Sequence, residues 1–162
     1  MAALFANASH AMSHFTLLVG STLGSAEDLA EEMADQLQSI GHSTVIHTSP
    51  QLDHILIAPD HYLLLVCSTH GAGDLPDNIQ PLLEALQQQR PPLQGLSYLA
   101  VGLGDTSYDT FCHAIQRLDQ QLESLGAGRI GDRLEIDVSA GDPPEQQAQI
   151  WLDQCLNEAG IR

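Results

Sequence analysis

Ser21-Thr22-Leu23-Gly24-Ser25-Ala26-Glu27 stands between an apolar run, Phe15-Thr16-Leu17-Leu18-Val19-Gly20, and an amphipathic segment that starts near Ala26. Strand, hydroxyl- and glycine-rich turn, helix: this order describes a cradle for phosphate. The N-terminus of a helix offers unpaired N–H groups and the positive end of its dipole, and successive N–H groups in a turn form an anion-binding concavity. Ser21, Thr22 and Ser25 add hydroxyl donors. The turn contains no Lys or Arg, so a phosphate here is held by neutral donors. A P-loop needs a lysine, and the chain has none. The dinucleotide fingerprint needs three glycines in G-x-G-x-x-G order, and only Gly20 and Gly24 occur. A receiver domain of the same topology needs carboxylates after the first strand and an Asp after the third, where this chain has Gly20-Ser21 and Ser68. For this turn taken alone, a capped helix with no ligand is the plainer alternative.

The 162 residues suffice for one domain with a sizeable core. A net charge of −16, from five Arg, no Lys and 21 acids, argues against nucleic acid and anionic membrane as partners. It favours docking to a basic protein surface, although an acidic solvated face would need no partner. Cys67, Cys112 and Cys155 are odd in number and match no metal spacing, which points to reduced thiols and a cytoplasmic location. His42, His47, His54 and His61 are scattered singly in a turn-rich region and suggest no metal site. Residues 1–13 read as a leader outside the fold, disordered or appended ahead of a start near Met12, and 14–162 as one domain. The first eleven residues lack the basic region and the long apolar run of a signal peptide. No stretch approaches a membrane span.

Along the chain, strand and helix alternate. Phe15–Val19, Ser43–Thr48, Tyr62–Cys67, Ser97–Leu103 and Ile130–Val138 read as strands. Ala26–Ile40, Ile79–Gln89, Thr110–Leu125 and Glu145–Glu158 read as helices, the last with Ile150, Trp151, Cys155 and Leu156 facing the sheet. Ile55-Leu56-Ile57 suggests a short helical turn within an irregular stretch. Five strands alternating with helices predict an α/β fold, a doubly wound parallel sheet with helices on both faces. In such sheets the ligand lies beyond the carboxyl ends of the strands, at the switch point.

The loops after strands three and four therefore join the first turn. The former reads Ser68-Thr69-His70-Gly71-Ala72-Gly73-Asp74-Leu75-Pro76-Asp77-Asn78. The latter reads Gly102-Leu103-Gly104-Asp105-Thr106-Ser107-Tyr108-Asp109-Thr110-Phe111-Cys112. A phosphate cradle, an aromatic wall and polar groups at ring height fit a planar phosphorylated ligand. In these three loops, over about residues 14–160, the chain resembles the flavodoxins. The 102–112 run is nearly the family's second flavin loop, and Ser21–Glu27 looks like the phosphate loop of its diflavin-reductase version. His70-Gly71-Ala72-Gly73-Asp74 and the short length are most similar to the MioC-type flavodoxins, of the short-chain kind in which no long insertion splits the last strand.

The resemblance implies a flavodoxin-like five-stranded sheet in the order 2-1-3-4-5, with FMN as cofactor. It places Ser21, Thr22, Gly24 and Ser25 on the phosphate. Leu23 stands where the family usually has a Thr, which removes one hydroxyl donor. Ser68, Thr69, His70, Gly71 and Gly73 form the first flavin loop, with Gly71 supplying a carbonyl toward flavin N5. His70 stands where an aromatic often covers the inner face, and an imidazole there titrates near neutral pH. Gly104, Asp105, Tyr108, Phe111 and Cys112 form the second loop. Tyr108 stacks on the outer face, Asp105 meets the pyrimidine edge, and Cys112 lies near that end or serves as a small buried hydrophobe.

The function so implied is that of a one-electron carrier. Asp74, Asp77, Asp105 and Asp109 near the ring oppose the fully reduced anion. An acidic rim speeds encounter with a basic partner. The family implies a flavodoxin/ferredoxin reductase-like donor and a redox-enzyme acceptor; the MioC type points toward biotin synthase. The alternatives are an NAD(P)H-dependent quinone or flavin reductase on the same fold and a binding module that rarely carries flavin. Against the reductase, the chain is short and has few cations for a nicotinamide phosphate.

Overall fold

The computed structural model describes residues 12–69 and 72–161. Its sheet is built from β1 (His14–Gly20), β2 (Ser43–His47), β3 (His61–Ser68), β4 (Ser97–Gly104), β5 (Gly128–Arg129) and β6 (Leu134–Asp137). The helices are α1 (Ser25–Ser39), α2 (Gln80–Gln89), α3 (His113–Ser124) and α4 (Pro144–Ala159). Every strand pairing is parallel, in the order β2-β1-β3-β4-β5, with β6 also on β4.

The apolar runs explain this arrangement. A parallel strand is covered on both faces, so both alternating sets of its side chains are buried. Phe15, Leu17 and Val19 of β1 join Leu64, Val66, Leu99 and Val101 on one face, beneath Leu29, Met33 and Leu37 of α1 and Leu152 and Leu156 of α4. Leu18, Leu63, Leu65, Tyr98 and Ala100 take the other face, beneath Leu82 and Leu86 of α2 and Ile115, Leu118 and Leu122 of α3. Gly41 follows α1 with φ +99, the conformation that stops a helix.

Three readings are corrected. The last strand is not continuous over Ile130–Val138: β5 pairs with Ser97 and Tyr98, β6 with Val101–Gly104, and the chain leaves the ladder between them at Gly131, φ +69. The break is short, and Asp119 bridges it as described below. Ile150 points to solvent, 64 % exposed, and Leu152 takes its place in the core with Ala148, Cys155 and Leu156, the set that a 3.6-residue repeat aligns. The short helical turn is Leu52–His54, closed by a reciprocal cap between Gln51 and His54, and Leu56 and Ile57 are exposed. Ser13, grouped by sequence with the leader, donates its N–H to His42 Nδ1 and accepts from the Ser43 N–H.

The register brings the loops to one edge. Gly20 of β1 lies opposite Cys67 of β3, Cys67 opposite Gly102 of β4, and Gly104 opposite Asp137 of β6. The turns that follow β1, β3, β4 and β6 thus leave the sheet side by side, where the order reverses between β1 and β3.

Candidate functional site

A trough of about 370 Å³ opens at that edge. Its lining comes from all four turns and includes Thr22, Leu23 and Ser25, then Ser68 and Thr69, then Gly104, Asp105, Tyr108 and Phe111, then Val138. Its volume lies in the range of small-molecule and cofactor sites.

At one end is the 21–25 turn. Gly24 takes φ +90, a left-handed conformation open to glycine without strain, and heads α1 with no side chain capping it. The Ser21 hydroxyl accepts the Gly24 N–H at 2.9 Å, and the Asp28 N–H donates to the Gly24 carbonyl at 2.9 Å. The N–H groups of Thr22, Leu23, Ser25, Ala26 and Glu27 find no acceptor among the described residues. An uncapped helix end and a run of unpaired N–H groups beside an apolar trough fit a phosphorylated ligand. Leu23 is 93 % exposed on the rim.

The opposite wall is the 104–112 loop. A Cβ on Gly104 would sit 2.9 Å from the Cys112 backbone nitrogen, so only glycine lets the loop fold back this closely. The Ser107 N–H and hydroxyl both donate to Asp105 Oδ1, at 2.9 and 2.6 Å. These bonds hold the Asp105 carboxyl below its usual range. The Tyr108 N–H donates to the Asp105 carbonyl, and its ring stands at the mouth, 61 % exposed.

Asp137 ties the walls together. Its carboxylate accepts the Thr106 hydroxyl at 2.5 Å and N–H at 3.3 Å, and the Ser139 N–H at 3.0 Å and hydroxyl at 2.6 Å. The Ser139 and Thr106 donors hold it down to about 2. Between them the Val138 N–H donates to the Gly104 carbonyl, and its half-exposed side chain joins the lining. The trough therefore carries an ionised Asp105, with ionised Asp137 bracing its wall, and no Lys or Arg lines it among the described residues.

The start of the loop after β3 is anchored from three sides. The Thr69 N–H donates to the Leu103 carbonyl, the Thr69 hydroxyl accepts the Ala114 N–H at the start of α3, and the Ser68 hydroxyl donates to the Gly20 carbonyl. Gly73 is buried with φ +97 against Thr110 and His113, beside rather than within the trough. His70 and Gly71 lie outside the described residues. Cys112 is fully buried behind Gly104, away from the lining. Burial and the Glu135 carboxylate push its thiol up to about 12.

Sequence reasoning missed Asp137, Val138 and Asn78. Asp137 and Val138 lie at the end of a strand, which points to the site only once strand direction and register are known. Asn78 closes the 68–78 loop, where nothing in its spacing marks a role.

The flavodoxin family model matches residues 17–151, and the chain belongs to the flavodoxin family. Flavodoxins are FMN-binding electron-transfer proteins rather than enzymes, and they take electrons from reductases. The chain is similar to Protein MioC of Escherichia coli K12, 42 % identical over 146 residues that span 90 % of this chain and 98 % of MioC. It is 35 % identical to flavodoxin YqcA of the same strain over 143 residues, 88 % of this chain and 96 % of YqcA. A cysteine-to-alanine mutant of flavodoxin from Pseudomonas aeruginosa has the same fold, with TM-score 0.78 and 34 % identity over 87 % of this chain and 95 % of that one.

Proposed function

We propose that the domain spanning 14–162 holds FMN in the trough and passes single electrons in the cytoplasm from a flavodoxin/ferredoxin reductase-like donor to a redox enzyme, with biotin synthase the acceptor suggested by the MioC type. When bound, FMN supplies the redox chemistry; the chain binds it, orients it and sets the charge around it. Thr22, Ser25 and the unpaired N–H groups of the 21–25 turn, shaped by Ser21 and Gly24, hold the phosphate. Leu23 covers that end with apolar surface. By resemblance to the family, Tyr108 would cover the outer face of the ring and Asp105 would meet the pyrimidine edge; His70 and Gly71, which lie outside the described residues, would serve the inner face and N5. Ser68, Thr69, Gly104 and Phe111 shape the slot, while Gly73 and Cys112 support it from behind.

The observation that carries this reading is the meeting, in one trough, of an uncapped helix end with unpaired N–H groups and an apolar, aromatic-rimmed slot. Asp105 inside the trough and Asp137 behind its wall, with no Lys or Arg in the lining among the described residues, oppose a second negative charge on the ring, as a one-electron carrier requires. The test is a fluorescence titration of apoprotein with FMN and riboflavin. Riboflavin forgoes several hydrogen bonds to a charged group, each worth ~1.5–3 kcal/mol, so FMN should bind more tightly by well over tenfold. Equal affinities would overturn the assignment.

A further inference from the structure

We infer that Asn78 is a positioning residue for the phosphate end of the site: its carboxamide sets the start of the 21–25 turn, so that the turn's unpaired N–H groups converge on the flavin phosphate. This inference rests on the FMN reading and deepens it.

One side chain here joins three segments. Asn78 Oδ1 accepts the Ser21 N–H at 3.0 Å. Its Nδ2 donates to the Val19 carbonyl at 2.8 Å and to the Thr48 carbonyl at 2.9 Å. The end of β1, the turn after it and the residue after β2 are thereby held by a single group. The chemistry fixes the orientation of the amide. An N–H must meet the oxygen and two carbonyls must meet the nitrogen, so a flipped amide would lose all three bonds. The β1–β2 ladder ends at Leu18 opposite His47, so the Val19 carbonyl lies one step beyond it. Asn78 supplies the donor that the missing strand residue would have given.

The neighbouring residue adds a second hold. Ile79 is fully buried against Gly20, where a Cβ would lie 2.6 Å from Ile79 Cγ2. The chain on either side of the Gly20–Ser21 peptide is thus seated on Ile79 by contact and on Asn78 by hydrogen bonds. With the Ser21 N–H bound to Asn78 and the Gly24 N–H bound to the Ser21 hydroxyl, the turn is braced at both ends. The N–H groups of Thr22, Leu23, Ser25, Ala26 and Glu27 are the ones left without an acceptor among the described residues.

The ring wall is braced independently. The Asp105–Ser107 and Asp137–Thr106 bonds involve neither Asn78 nor the 21–25 turn. Loss of the carboxamide should therefore weaken the grip on phosphate and spare the grip on the ring.

The experiment compares Asn78→Ala and wild-type apoprotein in fluorescence titrations with FMN and with riboflavin. The FMN dissociation constant should rise about tenfold or more while that of riboflavin stays within about twofold, so that the discrimination between them collapses. Constants that rise together, the mark of a merely structural role, would overturn the inference, as would an unchanged FMN constant. If Asn78→Ala does not fold, Asn78→Gln decides by the same ratio: it keeps an uncharged carboxamide but displaces it by one methylene from Ser21, Val19 and Thr48. Failure of the underlying reading is separate, since wild-type protein would then already bind the two flavins equally.

Discussion

Tyr108 is held by its backbone and free at its ring, the arrangement suited to an aromatic that closes over a planar ligand. Its N–H is fixed on Asp105, and its side chain has little else to pack against, at 61 % exposure. Tyr108→Ala should weaken FMN binding by about 0.5–1.5 kcal/mol beyond the lost area, roughly two- to tenfold, and should relieve fluorescence quenching in the bound flavin. Unchanged affinity and fluorescence would remove Tyr108 from the site. The residue types with their own chemistry were legible in the sequence: the hydroxyls and glycine of the first turn, the tyrosine, and the glycines of the 102–104 stretch. Asn78 and Asp137 were not, because their roles depend on what faces them. Asp137 and Thr106 meet only because β6 runs parallel to β4 and ends level with Gly104.

Between the elements, the interrupted fifth strand is the feature that period-two reading could not resolve. Ile130-Gly131-Asp132-Arg133 interrupts the strand, and Asp119 of α3 compensates. Its buried carboxylate accepts Arg129 Nη1 and Arg133 Nη1, each at 2.6 Å, and the Tyr98 hydroxyl at 2.5 Å. The same Arg133 reaches Glu135 through Nε at 2.8 Å. A break that would expose the edge of β4 is thereby pinned to a helix. Asp119→Ala leaves the Tyr98 hydroxyl buried without this acceptor and two arginines without their shared partner. The loss should be about 1.5–3 kcal/mol of unfolding free energy, the range for hydrogen bonds to a charged group, measured by urea denaturation. A stability equal to wild type would show that the arginines are held by other means. The element order, the four helices and the burial of both sheet faces followed from periodicity. The split followed from a salt-bridge network that joins Asp119 to residues ten and fourteen positions away, a relation no local pattern carries.

At the scale of the molecule, charge and histidine burial act in opposite directions as pH falls. His42 is 4 % exposed, accepts the Ser13 N–H at Nδ1, and has no partner at Nε2 among the described residues. Protonation would turn Nδ1 into a donor facing a donor. Burial lowers its pKa from 6.5, and burial likewise lowers those of His14 and His47. A histidine whose folded pKa is depressed leaves stability intact above about 6.5, where both states are neutral. Below it the unfolded chain gains a proton first, and stability falls until the folded pKa is reached. The charge of −16 shrinks over the same range and relieves repulsion, so the comparison of wild type with His42→Asn isolates the imidazole. The stability advantage of wild type should narrow between pH 7.5 and 5, a pH window bracketing the ordinary histidine pKa of about 6.5; a constant difference would show that His42 does not titrate with folding. The acidic surface also decides the central question, because an electron carrier must stop after one electron. Stepwise anaerobic reduction of the FMN-loaded protein, followed by absorbance, tests this most directly. Two separated one-electron steps, with a long-wavelength band that rises and then falls, are the predicted result; a single two-electron bleach without that band would contradict it.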